Sequence, residues 1–387
     1  MTLALVKVVS IFGGAGSLAM LGNIQNTFMI GSSIASFSTQ TGVSSRIASG
    51  EDNNALRHAF HVTLFGSFLM LVIISISYIL GIWPDLSVHW SLFVAASVGI
   101  GLNAIVAAAL VAYQKLLQLV LLYFVTGTIT LIWIVFSGSY DANSFGYGIC
   151  LGSWLGAIVG FLHTPKNIID LKARFSLLPQ YLGLIKYGFA SLVSVLTINS
   201  VIISARNSVL SAGDSLSGDI FEVGIRLNTL LDMFIIVPIA TVMISSIAKE
   251  NSSLGDAEKI YFYGLFSSAL ISVSAGLFLF FAGDLVVSLV FSDKFLGVLE
   301  YLHLIVIIQF LRCLSAAALL KQLIDGNIIF TICNDILYVI AFFIFMNFLP
   351  YYPGSLNLVF SAMAWSVFVY ACLPIFFLVR SRINNAY

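Results

Sequence analysis

Charge is what this chain has least of: Asp, Glu, Lys and Arg make up 9% of its 387 residues, against about a quarter in ordinary soluble domains. Such a chain cannot cover a large core with a polar exterior, which excludes a water-soluble globule. The 17 basic and 17 acidic residues cancel, leaving no basic face for nucleic acid or another polyanion. Cysteine is scarce as well. Cys150, Cys313, Cys333 and Cys372 all lie in apolar stretches without CxxC or Cys/His spacing, so they read as small packing residues and predict no metal. Walker loop, HExxH, nucleophile elbow and carboxylate dyad are all missing; neither an enzyme nor a cofactor is expected. No cleavable signal peptide followed by a polar mature domain is evident. Strand-like alternation is absent too, which argues against a β-barrel.

What is abundant is apolar sequence, 60% of the residues. Crossing about 30 Å of hydrocarbon takes about 20 apolar residues. Spans are predicted at 21–45, 56–81, 90–112, 116–138, 144–163, 179–205, 219–247, 259–282, 297–320, 327–349 and 355–379, with a further short apolar helix over 1–12. Turn residues separate them, as at Ser137-Gly138-Ser139 and Asp325-Gly326-Asn327. Lys and Arg fix the orientation. Arg46, Arg57, Lys115, Lys166, Lys172, Arg174, Lys249, Lys259, Lys321, Arg380 and Arg382 fall in one alternating set of loops, and only Arg206 and Lys294 in the other. Both termini are therefore expected in the cytoplasm. The predicted fold class is an all-α, polytopic membrane protein of about twelve transmembrane helices in two six-helix bundles. The N-terminal bundle is placed at 1–165 and the C-terminal bundle at 179–387, joined by a cytoplasmic interfacial linker at 166–178. An offset of 202 aligns Gly16, Gly22, Asn26, Thr27, Thr39 and Ser44 with Gly218, Gly224, Asn228, Thr229, Thr241 and Ser246, consistent with a duplicated half.

Five stretches carry a family resemblance: G-G-A-G-S-L-A-M-L-G-N-I-Q-N at 13–26, I-S-A-R-N at 203–207, E-V-G-I-R-L-N at 222–228, L-V-F-S-D-K-F at 289–295 and I-I-Q-F-L-R-C-L-S at 307–315. In these the chain resembles the Wzx-type O-antigen flippases, in the polysaccharide-exporter branch of the MOP superfamily. The resemblance implies a carrier in the bacterial inner membrane that flips undecaprenyl-diphosphate-linked oligosaccharide from the cytoplasmic to the periplasmic leaflet. It implies alternating access coupled to H+ or Na+, with polymerase and chain-length proteins of the pathway as partners. The family's first helix is longer than residues 1–12, so a shortened first helix is expected, either from a start lying upstream or from truncation. The alternatives are another MOP-type exporter (of capsule units, peptidoglycan precursor or drugs) and a membrane-embedded polysaccharide polymerase or ligase. The short periplasmic links speak against the last.

Charges within spans are costly and face a cavity or a partner. A lipid-linked diphosphate calls for cations, and the planar fork of Arg suits phosphate. The expected substrate-binding residues are Arg206, Arg226, Arg312, Gln309 and Lys7; the expected ion-coupling residues are Asp232, Glu222 and Asp335. Each has a structural counter-reading. Glu222 and Arg226 are spaced as an intrahelical pair. Arg312 and Asp335 flank the 325–326 turn at similar depth and could neutralise one another. Arg206, at a helix end, could snorkel. Asp232 has no obvious local cation and could instead cap a contact with Asn199 or Asn228.

Overall fold

The computed structural model describes residues 2–48, 55–79, 88–164, 178–212, 215–249, 254–324 and 327–385. The chain is an all-α polytopic membrane protein. Thirteen helices are described: α1 (Thr2–Phe12), α2 (Ser17–Ser36), α3 (Gln40–Ala48), α4 (Ala55–Ile79), α5 (Trp90–Ala112), α6 (Leu116–Ser137), α7 (Ala142–Leu162), α8 (Leu178–Ser211), α9 (Ser215–Lys249), α10 (Leu254–Val290), α11 (Leu302–Ile324), α12 (Ile328–Phe348) and α13 (Leu356–Asn385). Among the described residues nine helices are long and apolar enough to cross a bilayer. Their outer faces carry large apolar side chains in the open: Phe136 is 85% and Phe281 81% exposed. Only a hydrocarbon solvent makes such a surface stable.

The chain divides into two compact units, residues 1–199 and 200–387, with the division inside α8. The linker expected at 166–178 lies almost wholly outside the described residues. In the first unit α7 packs on α5 and α6, and α2 on α4 and α5. Small residues bring these helices together, as membrane packing requires. A Cβ at Gly152 would fall on the carbonyl oxygen of Thr126, and one at Gly156 on the Thr126 hydroxyl. The close approach lets polar groups bond across helices. Asn103 Nδ2 of α5 donates to Thr126 Oγ1 at 2.8 Å, and Thr130 Oγ1 of α6 donates to the Gly148 carbonyl of α7 at 3.1 Å.

One predicted span is corrected. Residues 21–45 are two helices, α2 and α3, separated at 37–39. Phe37 and Ser38 both take φ of 47°, and α2 ends in a Schellman closure. Ser38 N–H donates to the Ser33 carbonyl and Phe37 N–H to that of Ile34, at 3.0 and 3.3 Å. Hydroxyls reinforce the stop, Ser36 Oγ bonding the Ser32 carbonyl at 2.7 Å and Thr39 Oγ1 that of Ser36 at 3.0 Å. Hydropathy is blind to both. Across the break lies Gly188 of α8, where any Cβ would strike the Phe37 carbonyl oxygen.

The helix predicted at 144–163 begins at Ala142, because Asp141 caps it. Asp141 Oδ1 accepts from Ser144 N–H at 2.7 Å, and Oδ2 from the Ser139 hydroxyl at 2.8 Å. The bond from Ser144, then that from Ser139, holds the exposed carboxyl below its ordinary value. Asp141→Ala is expected to lower stability by about 1 kcal/mol. The cap's contribution is present above the unfolded aspartate value and is lost as pH falls through the lower folded one. Thermal unfolding of wild type and variant, in detergent, should therefore differ at neutral pH and converge in acid.

In the second unit α9 packs on α10 and α11, while α13 packs on α11 and α12. The span predicted at 297–320 starts as a 3-10 segment, Asp293–Tyr301, before α11. α10 runs past its predicted end to Val290, bending at Ala282. Pro374 lies inside α13.

Candidate functional site

The intramembrane charges of the second unit form two groups, both anchored on α9. Nearest its start, Glu222 and Arg226 are one turn apart and share a face. Arg226 Nε lies 2.8 Å from Glu222 Oε1, and Arg206 Nη2, from the end of α8, donates to Glu222 Oε2. One carboxylate thus serves two guanidiniums. Arg206 and Glu222 side chains are 1% and 3% exposed. The Arg206 side chain is buried and does not snorkel. Arg226 is turned onto Glu222, as the intrahelical spacing suggested, and both oxygens of Glu222 are engaged. Asp219, a turn before Glu222, is buried as well.

Two and a half turns along α9 the second group is more open. α9 and α11 run in the same direction, with Gly224 against Ile305 and Asp232 level with Gln309 and Arg312. Arg312 Nη2 lies 2.8 Å from Asp232 Oδ2, and Gln309 Nε2 donates to Asp232 Oδ1 at 2.8 Å and to Cys313 Sγ at 3.3 Å. Here the Arg312 side chain is 33% and that of Asp232 18% exposed. The acid on Arg312 is therefore Asp232, not Asp335 across the 325–326 turn. Asp335 is buried on α12 and hydrogen-bonds the Tyr370 side chain; its neighbour Asn334 donates to the Tyr370 carbonyl at 3.2 Å. Nor does Asp232 reach an asparagine. Asn199 Nδ2 turns back to the Val195 carbonyl at 2.8 Å, and the amide of Asn228, 1% exposed, finds no hydrogen-bond partner among the described residues.

Arg312 is flanked by Tyr338 and Tyr370, whose rings meet edge-on at 5.6 Å. Neither tyrosine was anticipated; Tyr338 lies one turn after Asp335, a spacing that could have marked it. Lys7 belongs to the first unit, on α1, where Ser10 Oγ donates to its carbonyl at 2.8 Å. The structure thus joins Gln309, Arg312 and Asp232, separates them from the Glu222 group, and leaves Lys7 in the other unit.

Solved structures share this arrangement of helices along their whole length. An inward-facing multidrug resistance MATE family transporter of the MOP superfamily superposes with a TM-score of 0.70, at 16% identity, over 99% of this chain and 94% of that one. The fold is that of the MATE transporters. An outward-facing MATE family transporter gives 0.65 at 14% identity, over 99% and 91%. A MOP superfamily transporter from Pyrococcus furiosus, described as having a binding pocket of reversed polarity that suggests a different function, gives 0.69 at 15% identity, over 99% and 92%. No family model matches the sequence, and no curated protein does.

The two groups differ in what they can do. The Glu222 group is closed, a buried clamp between α8 and α9. The Asp232 group presents a partly exposed guanidinium fork near two tyrosines, with an amide beside it. That is a set of donors suited to phosphate oxygens.

Proposed function

We propose that the chain is an alternating-access carrier that flips undecaprenyl-diphosphate-linked oligosaccharide, an O-antigen repeat unit, towards the periplasmic leaflet of the bacterial inner membrane. The observation that carries this reading is the accessible Arg312, held over Asp232 and flanked by Gln309. It supplies bidentate donors to a diphosphate while the polyprenyl tail stays in lipid. Two halves, 1–165 and 179–387, would rock about a linker at 166–178, with both termini cytoplasmic. Asp232 is the coupling residue in this reading. Arg206, Arg226 and Glu222 hold the helices that frame the site, Asp335 orders Tyr370, and Lys7 offers a cation in the first half. The fold shared with inward- and outward-facing MATE structures supports alternating access. The reversed pocket polarity described for the Pyrococcus transporter, said there to suggest a different function, is in keeping with a cationic site on this fold. A carrier of cationic drugs would keep a carboxylate available; here Asp232 and Glu222 are both occupied by arginine.

The test is complementation of a strain lacking its O-antigen flippase, at matched protein levels. Wild type should restore surface polysaccharide, and Arg312→Ala should lose it. Removing a charged hydrogen-bond donor costs about 1.5–3 kcal/mol, or roughly ten- to a hundredfold in turnover. Arg312→Lys, with one point charge for a fork, should recover only part. Full surface polysaccharide in Arg312→Ala would refute the proposal, and rescue of a capsule or peptidoglycan flippase strain in its place would redirect the substrate.

A further inference from the structure

We infer that the Asp232–Arg312 pair is an exchange switch, in which the anionic headgroup displaces Asp232 from Arg312 and Asp232 then takes up one proton. The inference rests on the flippase reading and fixes the sign of its coupling. In the empty site both Asp232 oxygens are occupied, Oδ2 by Arg312 at 2.8 Å and Oδ1 by Gln309 at 2.8 Å, and the pair is neutral. A phosphate that claims the fork of Arg312 removes the only cation that the described residues set against Asp232. What faces the pair from the neighbouring helices cannot replace it. α11 offers Cys313, α12 Tyr338 and α13 Tyr370, none of them cationic at neutral pH; α10 offers Ser272, which bonds Cys313; and Asp335 beyond Tyr370 is a second acid. A carboxylate stranded beside a diphosphate and away from bulk water is neutralised by a proton drawn from the aqueous phase the site faces.

Asn228 makes room for that proton. It lies one turn before Asp232 on the same face of α9, about 6 Å along the axis. Its side chain is buried, and among the described residues neither amide atom has a hydrogen-bond partner. The carbonyl of that amide is an acceptor for the O–H that Asp232 acquires. Charge balances over the cycle. Loading adds the two negative charges of the headgroup and one proton, and unloading returns the proton with the headgroup as Arg312 and Asp232 rejoin. Substrate and proton therefore bind together, and the device works as a co-transporter, not an exchanger.

The experiment is titration calorimetry on the full-length protein in nanodiscs, with farnesyl-diphospho-N-acetylglucosamine as probe, in two buffers of different ionisation enthalpy. Both phosphates of this probe are esterified and keep their charges across neutral pH, so any proton taken up belongs to the protein. Wild type should take up close to one proton per probe bound, with affinity falling by up to about tenfold per unit rise in pH. Asp232→Asn should bind with none. Binding without proton uptake in the wild type overturns the inference while sparing the flippase reading, and so does uptake that persists in Asp232→Asn. Absence of binding by the wild type overturns both. The wild-type proton number stands by itself if the variant does not fold.

Discussion

Glu222→Gln is expected to cost most of the folded protein. The substitution is nearly isosteric, but it removes the carboxylate charge that touches two buried guanidiniums, Arg206 and Arg226, whose side chains are 1% and 10% exposed. Breaking a buried ion pair by removing one partner costs about 3–5 kcal/mol. Here a single substitution breaks two such pairs, and the surroundings are a membrane span. Native stabilities are about 5–15 kcal/mol, so the loss takes a large share of the total. The readout is the monodisperse fraction and melting temperature of detergent-purified protein. Rescue separates charge from shape: Glu222→Gln with Arg226→Met should recover part of the loss, leaving a single guanidinium beside an amide. A Glu222→Gln protein as stable as wild type would mean that the triad does not hold α8 to α9.

Gly152→Leu should be almost as damaging, for a steric reason. Its first side-chain carbon would land on the Thr126 carbonyl oxygen, which belongs to helix backbone and cannot rotate away. α6 and α7 must part, and the bonds from Asn103 and Thr130 are lost with the close approach. Overpacking a well-filled core costs about 1–3 kcal/mol when side chains can yield; where backbone blocks the way the upper end or beyond is expected. Gly14→Ala is the internal control, since a Cβ there meets nothing within 4 Å. Melting temperatures of the two variants should separate clearly. Equal values would show that the α6–α7 contact is not tight.

The membrane class was legible because it depends only on composition and run length, which fix what each segment can dissolve in. Helix ends were less legible: α7 was expected from 144, whereas the Asp141 cap starts it at Ala142. The break at 37–39 was not legible, because it is made by backbone torsions and hydroxyl bonds inside a stretch whose hydropathy never falters. At the site, the Glu222–Arg226 pair follows from helical periodicity alone. Arg206, its third member, sits on another helix. Matching depths across the 325–326 turn pointed Arg312 at Asp335, yet Asp232 holds it from far upstream, because α11 packs against α9 as well as α13. Depth can be counted along a helix, whereas the neighbour it faces is decided by tertiary packing.

The junction of α2 and α3 has a mechanical consequence. The amides of Phe37, Ser38 and Thr39 all donate to carbonyls of α2, those of Ile34, Ser33 and Ser36, so none of these three donors depends on water within a bilayer. The junction behaves as a sealed elbow between two stiff rods, with Gly188 of α8 as the stop against which the elbow rests. A larger residue at 188 would change the angle of that elbow and leave both rods helical.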